Sequence, residues 1–142
     1  MLDTAILAPG AVLICWTLVM LLWMVATRFP AMAKAKIDLS ARAGGRGQDL
    51  DGVIDDRTQW KAHNYNHLLE QPVLFFAVIV ILSLAGGVND LSVGLAWGYV
   101  GLRVLHSVWQ ATVNKVPVRF VLFFLSTLCL IGLAIIALFQ TI

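Results

Sequence analysis

An all-α, integral membrane four-helix bundle is the fold class this sequence predicts, and three observations carry it. The first is composition: of 142 residues 60% are hydrophobic and only 13% charged, whereas a soluble domain is about half apolar and about a quarter charged. The second is segment length. A span needs about 20 apolar residues to cross about 30 Å of hydrocarbon, and Ala5–Thr27 and Val121–Phe139 are uncharged runs of that order. The third is charge placement. Arg28, Lys34, Lys36, Arg42, Arg46, Arg57 and Lys61 fall between spans one and two, Lys115 and Arg119 flank the junction of spans three and four, and "GGVND" between spans two and three has no basic residue. The positive-inside rule then puts both basic stretches in the cytoplasm and both termini outside. Residues 1–142 read as one multi-pass membrane domain, with spans at about 5–27, 57–85, 91–113 and 118–140 and a cytoplasmic loop at about 28–56.

Taken in order, the first span is not a cleavable signal, because Asp3 replaces a positive n-region and the apolar core is long. Pro30 predicts the end of that helix. "RFPAMAKAKIDLSAR" after it suits a short amphipathic helix on an anionic leaflet, and "AGGRGQDLDG" reads as flexible linker. "GGRG" lacks the strand and the Gly-Lys-Ser/Thr of a phosphate loop. "DLDGVIDD" lacks the ligand spacing and closing Glu of a calcium loop. Cys15 and Cys129 lie in apolar spans without ligand spacing and read as buried small hydrophobes. Acidic groups suit a helix N-terminus, so helix two begins at Asp55 or Asp56 and runs to Ala85, about 45 Å at 1.5 Å per residue, with a kink expected at Pro72.

Helices two and three each carry a polar stripe. Gln59, His63, Asn66 and Glu70 stand at i, i+4, i+7 and i+11, and Arg103, His106, Gln110 and Asn114 at i, i+3, i+7 and i+11. Each set shares one helical face; His67 and Ser107 lie beside them and Asn64 on a flank. Ionisable groups inside a membrane face protein or a wet cavity and tend to pair. The stripes are therefore expected to face each other or a neighbouring subunit, with Glu70 paired to Arg103 or Arg119. Two readings stay open: a hydrogen-bonded network holding the bundle, or a polar cavity open to the cytoplasm that binds an anion. Metal binding by His63, His67, Glu70 and His106 is disfavoured by the Asn and Arg groups crowding them. A proton-coupled exporter needs fewer polar groups. Nothing points to nucleic acid, and the net charge of +2 says little about partners.

The stretches "DRTQWKAHNYNHLLEQP" and "LRVLHSVWQATVNKVPVRF" carry a resemblance. The first resembles the MAPEG pattern (membrane-associated proteins in eicosanoid and glutathione metabolism) of an acidic-Arg pair, Ala-His, Asn, Glu and Pro. The second has that family's Arg103, His106, Pro117 and Arg119 spacing. The resemblance covers nearly the whole chain and implies a divergent bacterial branch in the inner membrane. It also implies a homotrimer with glutathione between subunits and a lipophilic small molecule arriving from the bilayer. The implied activity is that of a glutathione-dependent transferase or peroxidase, or alternatively a non-catalytic lipid-binding or scaffold protein. By position, Arg119 matches the thiol-activating arginine, while Arg103, His106, Glu70 and either Asn64 or Asn66 match ligand-contacting residues. Gln110 stands where the family has a Tyr that contacts glutathione, and Phe120 where it has a Ser beside the catalytic arginine.

Overall fold

The computed structural model describes residues 3–41 and 43–142; Arg42, counted above with the basic loop, lies outside them. Among the described residues there is no strand, and five α-helices follow in order: α1 (Leu7–Lys34), α2 (Asp56–Leu68), α3 (Pro72–Ala85), α4 (Asp90–Thr112) and α5 (Val116–Thr141). Three stretches are long and apolar enough to cross a membrane: Leu7–Lys34, Asp56–Ala85 and Val116–Thr141. Their outer faces carry residues such as Leu18, Leu22, Val121 and Phe139, all exposed, which suits lipid rather than water. The more polar α4 packs on α5, α2 and α1 and exposes Leu91, Trp97, Leu105 and Val108 on its outer side.

Pro30 does not end the first helix, which runs to Lys34. A proline removes one donor and fixes a φ that the helix already uses, so near an exposed C-terminal end it is tolerated. The stop comes from a Schellman arrangement: Ile37 N–H donates to Met32 O (3.1 Å) and Lys36 N–H to Ala33 O (3.1 Å), with Lys36 in the left-handed region at φ +54°. The expected amphipathic helix is therefore absorbed into α1, and 37–41 is not helical.

Helix two divides at the proline. Leu69–Gln71 form turns in which Leu69 N–H donates to Asn66 O (3.0 Å) and Leu74 N–H to Gln71 O (2.9 Å). Pro72 then opens α3, where its missing N–H costs nothing. The joint is held by Gln71, which donates through Nε2 to Thr127 of α5 (3.0 Å) and accepts from Tyr99 OH of α4 (3.3 Å). Tyr99 stacks on Phe75 inside a core that includes Leu13, Met20, Leu68, Ile79, Leu82, Val100 and Leu133.

The glycine-rich linker is docked rather than free. Gly47–Leu50 form a 3-10 turn that sits on α1 and α2. Arg28 Nη2 donates to Gln59 Oε1 (2.9 Å) and Gly47 O (3.3 Å), while Gln59 Nε2 donates to Asp51 Oδ1 (2.6 Å) and Gly47 O (3.2 Å). His63 Nε2 meets the same Asp51 oxygen at 3.0 Å. These contacts, first from Gln59 and then from His63, hold the Asp51 carboxyl below its ordinary range.

Candidate functional site

The site grows from the wedge that α2 makes between α1 and α4. Ala62 and Gln59 are buried toward the α1 side and the docked loop, Asn64 toward α4, and Leu68 in the apolar core. At 100° per residue His63, Asn66 and Glu70 share a face with Gln59; those three are exposed, while Gln59, at the start of the stripe, is covered by Arg28 and the docked loop. Past Gln59 the α2 stripe thus faces out of the chain, whereas the α4 stripe faces in as far as Gln110: Arg103, His106 and Gln110 are buried and Asn114, beyond the helix end, is half-buried. Within one chain the two do not face each other. Asn64, placed on a flank by spacing, is the helix-two amide that enters the bundle, donating to Ser107 Oγ at 2.8 Å. Trp16 Nε1 donates to the same hydroxyl at 3.0 Å.

The expected ion pair between Glu70 and Arg103 or Arg119 is not made. His67 stands between the first two. Its Nδ1 contacts Glu70 Oε2 at 3.2 Å, and its Nε2 faces Arg103 Nη1 at 3.4 Å. Those partners set the neutral tautomer, with the proton on Nδ1 toward the carboxylate and the Nε2 lone pair toward the guanidinium. Arg103 Nη2 also donates to His67 O (3.4 Å), and the guanidinium lies 5.6 Å from the Phe123 ring centroid. Arg119 Nη1 donates to Asn114 Oδ1 at 2.6 Å, and that acceptor is placed by Asn114 stopping α4 at φ +56°.

A recess of about 210 Å³ results, lined by His67, His106, Val116, Arg119, Phe120 and Phe123. The two imidazole rings are 4.9 Å apart and tilted by 40°. The structure brings Arg103, His106 and Arg119 to this recess or directly behind it. It does not bring Asn66 or Glu70, which point outward, nor Asn64 or Gln110, which point into the bundle. Asn66 instead lines a second recess, about 320 Å³, with Arg28, Arg46, Gln48 and Tyr65. Two contributors were not among the residues expected to contact a ligand. His67 is the bridge between carboxylate and guanidinium, and its offset from the stripe is the signal that placed it there. Trp16 sits in an uninterrupted apolar run and gives no signal at all.

Chemically, the first recess gathers a guanidinium and two imidazoles against aromatic walls. Among the described residues no carboxylate lies within ion-pair distance of Arg119 or Arg103, so neither charge is neutralised by an ion pair there. Among the described residues no group of His, Cys, Asp and Glu gathers as a metal site. The family model of the MAPEG family matches residues 6–139. No curated protein and no solved structure matches the chain.

Proposed function

The chain belongs to the MAPEG family and is an integral membrane protein, and on that premise we propose that it binds glutathione and uses the thiolate against lipophilic compounds. In this reading three copies assemble as a homotrimer of single membrane domains with the termini outside and the basic loop in the cytoplasm. The outward stripe of His63, Asn66 and Glu70, and the recess of Arg28 and Asn66, form one wall of a site that a neighbouring subunit completes. Such cover offsets the cost of a polar face at the edge of a bilayer.

One observation carries the proposal: Arg119 is held by a neutral amide oxygen, Asn114 Oδ1 at 2.6 Å, so it is fixed in place with its charge unspent. A cation beside a thiol favours the thiolate and lowers the thiol's pKa from about 8.5 into the range of about 3.5–7.5. In conjugation the sulfur's electron pair forms the S–C bond, the leaving group departs with its own pair, and the thiol proton passes to solvent. In peroxide reduction two glutathione thiols supply two electrons. The O–O bond breaks to give an alcohol and water, and a disulfide forms.

Isothermal calorimetry with glutathione on the detergent-solubilised protein, followed by turnover of a generic electrophile, tests the reading. Binding is expected in the millimolar range or tighter, and its absence there sinks the proposal. Arg119→Ala is expected to abolish turnover with the oligomer intact; dissociation of the oligomer would make Arg119 structural instead. A second reading, a non-catalytic lipid-binding member, is favoured by Phe120. It stands exposed at the recess mouth, stacked on Phe124, and presents an apolar surface beside the arginine. Glutathione binding without turnover, together with retained lipid, would select that reading.

A further inference from the structure

Among the described residues five buried side-chain polar atoms have no hydrogen-bond partner in the protein; apart from Arg28 Nε beside the docked loop they are Asn64 Oδ1, Arg103 Nε, His106 Nδ1 and Gln110 Oε1. The last four belong to residues that are 0%, 0%, 2% and 7% exposed, respectively. All lie on α2 or α4. Asn64 Nδ2 is already committed to Ser107 Oγ, which also accepts from Trp16 Nε1, so the Ser107 proton too needs an acceptor. Turning the Asn64 amide around does not help. Its oxygen would then take the Ser107 proton and its NH₂ group would be left bare.

Native interiors leave very few such atoms unsatisfied, and internal water is the usual remedy. Water is also the one partner that fits this set. It can donate to the amide oxygens of Asn64 and Gln110, accept from Arg103 Nε, and do either with His106 Nδ1. An anion would suit Arg103 but be repelled by the two amide oxygens. A cation would suit the oxygens but be repelled by the guanidinium.

We propose that the bundle interior where α1, α2 and α4 meet holds a small cluster of bound water molecules, ligated by Asn64, Arg103, His106 and Gln110. Gln110 lies in the last turn of α4, and His106 also lines the Arg119 recess, so the cluster runs up to the back wall of the candidate site. It hydrates a guanidinium that has no carboxylate partner and keeps it charged inside an apolar bundle. Its use to the recess, as a wet backing for His106, rests on the glutathione reading; the water site itself does not.

Radiolytic hydroxyl-radical footprinting of the intact protein in lipid nanodiscs tests this, because radicals born from bound water label the side chains beside it. His106 is expected to oxidise several-fold faster than Phe75, a comparably buried ring in the apolar core. Equal rates overturn the proposal. Gln110→Met keeps the volume and removes one ligand, so labelling at His106 should fall several-fold; unchanged labelling counts against the site. Should that variant fold poorly by circular dichroism, Asn64→Leu serves for the same comparison. Glutathione binding measured on the same samples separates the two ideas. Internal labelling without glutathione binding sinks only the thiol chemistry, and binding without labelling sinks only the water cluster.

Discussion

Ser107 is the hydroxyl on which helices α1, α2 and α4 converge, and removing it should destabilise the bundle in a way that a double-mutant cycle can resolve. The hydroxyl accepts from Trp16 Nε1 at 3.0 Å and from Asn64 Nδ2 at 2.8 Å, and Ser107 is fully buried. Ser107→Ala leaves two buried donors without an acceptor, at about 1–3 kcal/mol each in a water-referenced protein. In a bilayer the unfolded reference finds partners too, and interhelical bonds average about 0.6 kcal/mol, so the lower end applies and about 2 kcal/mol is expected. Trp16→Phe removes a donor but orphans nothing, and should cost about 0.6 kcal/mol. In the Trp16→Phe background Ser107→Ala strands only the Asn64 donor, so the double variant should lose about 1.6 kcal/mol rather than the sum of about 2.6. The assay is unfolding in mixed detergent micelles followed by far-ultraviolet circular dichroism, which does not depend on the deleted indole. Additivity to within about 0.5 kcal/mol, or a Ser107→Ala cost below about 0.5 kcal/mol, would refute the shared-acceptor reasoning.

Three further outcomes follow from the loop and the helix ends. The Asp51 carboxyl is held below its ordinary range by Gln59 and His63. Its contribution to docking is therefore full above the unfolded value of about 3.9 and is lost as pH falls through the lower folded value. Hydrogen exchange of the Gly47–Asp51 amides should show steady protection from neutral pH to about 4, then a drop. A drop that begins well above pH ~4 would refute the assignment to Asp51. At Gly47 an added Cβ would lie 2.8 Å from Arg28 Nη1 and 3.1 Å from Nη2. Gly47→Ala should thus push the guanidinium off Gln59, raise proteolysis of the loop at Arg46, and leave the helical content unchanged. Lys36→Gly relieves a left-handed backbone at φ +54° and should stabilise by about 0.5–1 kcal/mol in the same micelle assay; a loss would mean that the Lys36 side chain makes a contact worth more than the strain.

The helices were legible because each rests on a one-dimensional signal. Apolar run length marked α1 and α5, Asp55 marked the start of α2, and Pro72 marked its division from α3. Pro30 misled because a proline's effect depends on where in the helix it falls. Near an exposed C-terminal end it costs little, and the stop was set by Lys36 adopting a left-handed turn, which its residue type does not advertise. The "GGRG" segment misled for a related reason. Glycine reports backbone freedom, but docking was decided by Arg28 and Gln59, residues 19 and 12 positions away from Gly47.

The site divides along the same line. Spacing grouped Gln59, His63, Asn66 and Glu70 together, and all but Gln59 are exposed; it grouped Arg103, His106, Gln110 and Asn114 on α4, and all but Asn114 are buried. What spacing cannot supply is the rotation of each helix about its own axis relative to its neighbours. That rotation is fixed by apolar burial, through Ala62 and Leu68, and it turns His63, Asn66 and Glu70 outward while sending Asn64 in. It also explains why Glu70 and Arg103 do not pair. The carboxylate follows the outward face and the guanidinium the inward one, and His67, about 60° around the helix from Glu70, is the side chain able to touch both. The charge on Arg103 is consequently left without a carboxylate in its own chain, as is that on Arg119. Two buried or half-buried arginines without anions are costly to a fold that gains nothing else from them. Arg119 lines the aromatic recess, where the thiolate of the proposed reading would meet its charge, and Arg103 lies behind it, where the proposed water would hydrate it.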